Sequence, residues 1–165
     1  MDEELQPLIE RLQVACLARR LLVVTAESCT GGGLVDSLTD LPGSSGYVLG
    51  GIVAYSDRVK VDQLGVTPGV LAAHGAVSAH VARAMALGAR ARFGADLALA
   101  ITGVAGPDGG TAAKPVGLTY LAVAGPAGVE IRRCVWAGDR SANKRSSVRA
   151  AVELLLGAAE PAGTP

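Results

Sequence analysis

Leu21-Leu22-Val23-Val24 followed by Thr25-Ala26-Glu27-Ser28-Cys29-Thr30-Gly31-Gly32 is the stretch on which the fold turns. The first four residues are an apolar run bounded by turn formers, which reads as a buried strand over 21–25. The glycines lead into Gly33-Leu34-Val35-Asp36-Ser37-Leu38, which can open a helix from about residue 30 to 39. Ser28 therefore stands where a strand gives way to a helix, beside backbone N–H groups without intrahelical partners. Such a position suits an ordinary N-cap. It also suits a nucleophile whose attack creates negative charge.

Working outward, an amphipathic helix is expected over residues 3–20, with Leu5, Leu8, Ile9, Leu12 and Cys16 on one face. Residues 47–55 read as a second strand ending at Tyr55. Ser56 and Asp57 can cap a short helix that carries Lys60, and Thr67-Pro68 opens another that stops at Gly75. Ser78 caps a long Ala-rich helix to Arg92, closed by Gly94. A buried strand over 96–101 runs into the glycine-rich loop 102–110. Strands at 116–124 and 129–136 are joined by Gly125-Pro126-Ala127-Gly128, and Asp139 and its neighbours cap a last helix. Alternating strands and helices followed by a hairpin predict a single three-layer α/β/α domain with a mixed, mostly parallel sheet. The domain is expected to occupy residues 1–157, with 158–165 a disordered tail.

Composition narrows the function classes. Of 165 residues half are apolar but only 3% aromatic, so the core must be made of Ala, Val and Leu. Fifteen basic residues balance fifteen acidic ones, which argues against nucleic acid or a membrane surface as partner, since phosphate binding leans on clustered cations. No run approaches the roughly 20 apolar residues of a membrane span, and no secretory signal is visible, so a cytoplasmic location is expected. Cys16, Cys29 and Cys134 form neither a disulfide framework nor a zinc motif. His74 and His80 lack a carboxylate cluster, and surface histidines are the better reading of them than a metal pair.

Three side chains carry the candidate chemistry. No histidine stands near Ser28 in sequence and no G-x-S-x-G elbow is present. A lysine can replace histidine as the base that takes a serine proton. Lys60 is the candidate, with Tyr55 as relay or as donor to a leaving nitrogen. Taken singly, Tyr55 reads equally as a core tyrosine and Lys60 as a solvated helix charge. Cys29 is a second possible nucleophile or a plain semi-buried thiol. The loop Thr102-Gly103-Val104-Ala105-Gly106-Pro107-Asp108-Gly109-Gly110 is either a turn cluster or an anion-binding loop, and it matches no dinucleotide or Walker fingerprint. Lys114, Arg140 and Arg145 would supply phosphate charge if they converge.

Taken together, the blocks TAESCTGG (25–32), GGIVAYSDRVK (50–60), HGAVS (74–78), TGVAGPDGG (102–110), KPVG (114–117) and GDR (138–140) resemble the C-terminal domain of the competence/damage-inducible protein CinA. The similarity runs from about residue 4 to 157. Stand-alone members of that family are nicotinamide-nucleotide amidases. The resemblance implies hydrolysis of the carboxamide of nicotinamide mononucleotide to nicotinate mononucleotide and ammonia. It implies a Ser28, Tyr55, Lys60 site working through an acyl-enzyme, without metal or cofactor, and a homodimer or higher homo-oligomer. Cys29, Thr30, Gly31, Gly32, Thr102, Gly103, Gly106, Arg140 and Arg145 become the expected substrate-binding set, with the oxyanion held by amides of the 28–32 turn. Lys144-Arg145 stands where relatives often carry two arginines. Long members add an N-terminal domain resembling molybdopterin-binding proteins, and its pyrophosphatase activity is not carried over. The alternative is a non-catalytic nucleotide-binding or interaction module tied to competence or DNA damage.

Overall fold

The computed structural model describes residues 4–160. Its elements, in chain order, are α1 (Gln6–Arg19), β1 (Val23–Glu27), α2 (Gly33–Thr39), β2 (Val48–Val53), α3 (Asp57–Leu64), α4 (Pro68–His74), α5 (Ala79–Phe93), β3 (Leu97–Gly103), β4 (Leu118–Gly125), β5 (Gly128–Val135) and α6 (Arg140–Ala159). The five strands form one sheet in the order β2-β1-β3-β4-β5. The β2-β1-β3 core is parallel, and β4 and β5 add an antiparallel edge to it. The expected mixed α/β/α domain is thus the observed one.

Side-chain size sorts the two faces of the sheet. Successive strand residues point to opposite faces. In β3, Leu97, Leu99 and Ile101 face a core shared with α1, α2 and α6, and Ala98 and Ala100 face the other way. That second face, with Ala26, Ala122 and Ala124, meets Ala82, Ala86 and Ala89 of α5. Small residues on both surfaces explain how a core almost without aromatics still closes: the helix lies near the sheet instead of being held off by bulk. Gly88 extends this logic to helix against helix. A Cβ there would run into the backbone carbonyl of Leu64 at the end of α3, so only glycine lets α5 and α3 approach this closely.

Local signals account for most boundaries. Ser56, Thr67, Ser78 and Asp139 each cap a helix by accepting from the amide three residues on. Gly65 and Gly94 stop α3 and α5 in the left-handed conformation. Several boundaries differ from expectation: β2 stops at Val53, short of Tyr55, and β3 runs on through Gly103 into the segment read as loop. β1 runs on to Glu27 because its polar end, Thr25 and Glu27, is as fully buried as its apolar start. The last helix continues through Ala159, which is completely buried, so the proposed tail cannot start at residue 158. Residues 161–165 lie outside the described region. Among the described residues, no helix is long and apolar enough to cross a membrane.

Candidate active site

The carboxyl ends of β2, β1 and β3 open on one edge of the sheet, where parallel-sheet proteins commonly bind ligands. Ser28 follows directly on β1 and stays tied to β3, its amide donating to the Ile101 carbonyl at 2.9 Å. A cavity of about 290 Å³ opens there. Its walls include Ser28, Cys29, Tyr55, Lys60, Thr102, Gly103, Gly106 and Arg140, residues brought in from four separate segments.

Lys60 is the least expected of these in its setting. It is 1% exposed, although it sits in the middle of a short helix whose other charged residues face solvent. Its Nζ donates to the Tyr55 carbonyl at 3.2 Å and lies 3.5 Å from Asp57 Oδ1. A buried ammonium needs such partners. The solvated-charge reading of Lys60 is therefore excluded.

Tyr55 is 61% exposed, so it is not a core residue either. Its hydroxyl accepts from the Arg140 guanidinium at 3.2 Å, while Arg140 Nη1 donates to the Gly106 carbonyl at 2.7 Å. Tyr55 is thus held by Arg140 at the rim, and the contact between Tyr55 and Lys60 runs through the tyrosine's backbone. Among the described residues, no hydrogen bond joins the Tyr55 hydroxyl to Ser28 or to Lys60, the two ends of the expected relay. Gly106 makes the clamp possible: its φ is +88°, and a Cβ there would collide with Val116 Cγ1. Asn143 fixes the same corner, its Nδ2 donating to Ala105 O at 3.0 Å and its Oδ1 accepting from Gly138 N at 3.0 Å.

The expected substrate set divides in two. Thr102 and Gly103 line the cavity, although the Thr102 hydroxyl donates to the Ala76 carbonyl at 2.8 Å. Thr30, Gly31, Gly32 and Arg145 do not line it. They border the neighbouring surface between α2 and α6, with Asp36 and Lys144. The reason is helical periodicity: Arg145 lies five positions beyond Arg140 on α6, which turns the two side chains to different faces. Lys114 is also elsewhere, donating to the His74 carbonyl at 2.6 Å. The three cations do not converge, and Arg140 alone of them reaches the cavity.

The helix-start amides are likewise not all available. Glu27 accepts from Gly32 N, Leu34 N and Val35 N, while Gly31 N donates to Ser28 O and Gly33 N to Thr30 O. Only the Cys29 and Thr30 amides of the 28–32 turn donate to no other described residue. Of these two only Cys29 lines the cavity, so the oxyanion-binding capacity expected of the whole turn shrinks to its amide.

Cys29 also lines the cavity, but burial pushes its thiol up to about 11, outweighing the nearby Lys144 and Arg140 charges. It stays protonated at neutral pH and is a poor nucleophile. His74 and His80 stack with ring centroids 3.6 Å apart, and among the described residues no cluster of three or more His, Cys, Asp or Glu side chains could hold a metal. Sequence reading missed Glu27, Asp57 and Asn143. A carboxylate ending an apolar strand was the one signal available for Glu27; the other two had none beyond their place in a helix start.

Known proteins share this fold. A family model described as the CinA C-terminal domain matches residues 5–159. A CinA-like protein of Mycobacterium marinum is 51% identical over 148 residues, which is 87% of this chain and 35% of that protein. A CinA-like protein of Geotalea uraniireducens is 56% identical over 115 residues, 70% of this chain and 27% of that protein. The chain thus spans about a third of the length of these curated relatives. Among solved structures, the competence/damage inducible protein CihA from Agrobacterium tumefaciens superposes with a TM-score of 0.94 at 39% identity, covering 97% of this chain and 98% of that one. A CinA superfamily protein from Escherichia coli gives 0.90 at 34% identity, covering 94% and 91%. Since the match takes in every element from α1 to α6, including those that carry Ser28, Lys60 and Arg140, the chain belongs to the CinA C-terminal domain family.

Proposed function

We propose that this domain is a metal-free serine amidohydrolase that converts the carboxamide of nicotinamide mononucleotide to the carboxylate, releasing ammonia. One observation carries the reading: a buried lysine and a serine at a strand end share the walls of a single small cavity whose rim bears an arginine. Lys60, as the amine, takes the Ser28 hydroxyl proton while the serine oxygen bonds to the amide carbon. The Cys29 amide holds the oxyanion, such a donor contributing about 3 kcal/mol in comparable sites. The C–N bond then breaks and ammonia leaves with a proton supplied through Lys60 or the Tyr55 hydroxyl. Water cleaves the acyl-serine, giving nicotinate mononucleotide and restoring the hydroxyl. Arg140 binds the phosphate in a fork geometry, and the 102–110 loop shapes the ribose end.

The test is ammonia release from nicotinamide mononucleotide with EDTA present, wild type beside Ser28→Ala. Release that persists with chelator and vanishes in the folded variant supports the reading; no release from folded wild type overturns it. A second reading has its own support. Lys60 is held by the Tyr55 carbonyl and Asp57 as a purely structural ammonium would be, and similar proteins bear names of competence and damage induction. A non-catalytic nucleotide-binding module predicts binding of the mononucleotide by calorimetry without turnover.

A further inference from the structure

Glu27 immediately precedes Ser28 and has no exposed surface. Its carboxylate takes five donors. Oε2 accepts from Thr30 Oγ1 at 2.7 Å, Leu34 N at 3.0 Å and Gly32 N at 3.1 Å. Oε1 accepts from Val35 N at 2.8 Å and Thr25 Oγ1 at 3.4 Å. Every donor lies within residues 25–35, so this one side chain ties the end of β1 to the start of α2 across the turn that carries Ser28. A surface cap would need one oxygen and one amide; here an acceptor-only group is saturated by donors on both sides of the candidate nucleophile.

We propose that Glu27 is a positioning residue for Ser28. It holds the 28–32 turn rigid and takes up the Gly32, Leu34 and Val35 amides, so that the Cys29 amide, on the same cavity wall as Ser28, is the one left to the serine. This rests on the amidase reading above. Small displacements of a reacting group cost rate much more than binding. The role therefore belongs to the chemical step and not to substrate affinity.

The experiment compares wild type, Glu27→Gln and Glu27→Asp, each checked for folding by circular dichroism. Glutamine keeps the shape but sets an NH₂ against donors, and aspartate keeps the charge one methylene short. Two readouts are used: kcat and KM for ammonia release, and the rate at which a fluorophosphonate labels Ser28, followed by intact mass. The expected result for Glu27→Gln is a fall of about 10-fold or more in both kcat and labelling, with KM within about 3-fold. Glu27→Asp should recover part of it. Thr30→Val, which removes one donor and keeps the carboxylate, should show the same split more weakly and serves if Glu27→Gln does not fold. Wild-type kcat per folded molecule in Glu27→Gln, or in Thr30→Val where Glu27→Gln is unfolded, overturns the positioning role alone. A wild type that neither releases ammonia nor labels at Ser28 overturns the amidase reading, and the positioning role falls with it.

Discussion

The Arg140 guanidinium donates to the Tyr55 hydroxyl at 3.2 Å, joining residues 85 positions apart across the cavity mouth. The pair places a cation and a phenol on the same rim, so the two should fail differently when removed. Arg140→Ala should raise KM for nicotinamide mononucleotide about 10-fold or more and leave kcat within about 3-fold, the pattern of lost ground-state binding. Tyr55→Phe should instead lower kcat by about 10-fold or more, since it removes a proton donor. Steady-state kinetics on both variants reads the difference, and a Tyr55→Phe effect confined to KM would leave the tyrosine only the task of holding Arg140.

Lys60→Met tests the base. Methionine fits the same buried volume without a charge, leaving the Tyr55 carbonyl without its Nζ donor at a cost of about 1–3 kcal/mol. Relief from burying a polar head group offsets that cost, so the melting temperature should move by only a few degrees. Turnover should fall about 100-fold or more. A folded Lys60→Met protein that still releases ammonia at near wild-type rate would remove the lysine from the mechanism.

Cys29 should resist alkylation despite its place in the cavity wall. With the thiol pushed up to about 11, on the order of 10⁻³ of it or less is thiolate near pH 7.5. Iodoacetamide at that pH should leave Cys29 unmodified by peptide mass mapping, and Cys29→Ala should keep most activity. Rapid labelling with parallel loss of activity would restore a cysteine mechanism.

Burial also lifts Cys16 to about 11. Below about pH 9 both thiols carry their protons in the folded and the unfolded chain. As pH rises from about 9 toward 11, only the unfolded thiols ionise, so the unfolded state binds fewer protons and stability falls. Each buried thiol contributes about 2 kcal/mol to that loss. Urea midpoints between pH 8 and 10.5 should decline, and Cys16→Ala, whatever its cavity cost at pH 8, should decline less steeply.

Gly88→Ala should destabilise even though alanine is the better helix former by about 1 kcal/mol. Its methyl meets the Leu64 carbonyl, and overpacking costs about 1–3 kcal/mol. A thermal melt should show a drop of several degrees. Because Leu64 ends the helix that carries Lys60, activity at a temperature where the variant is folded should fall as well. An unchanged melt and rate would show that α3 and α5 separate freely.

By itself the sequence determined the order of elements and the segments that hold the candidate site. Caps at Ser56, Thr67, Ser78 and Asp139, the glycine stop at Gly94, and apolar runs bounded by turn formers are local, and each is written within a few residues. Ser28 at a strand end, Lys60 in the short helix that follows the second strand and the 102–110 loop followed from the same local rules. Tertiary structure alone decided which of these meet. Pairing β1 between β2 and β3 brings Ser28, Lys60 and Arg140 to one cavity and leaves Arg145 facing another cleft. It also decided what each group is free to do. The Tyr55 hydroxyl goes to Arg140, and Glu27 takes the Gly32 amide, one of those expected to serve an oxyanion. The physical reason is that a hydrogen-bond donor or a buried charge is assigned by competition among all groups within about 3 Å. Those neighbours are set by chain crossings that no local pattern encodes.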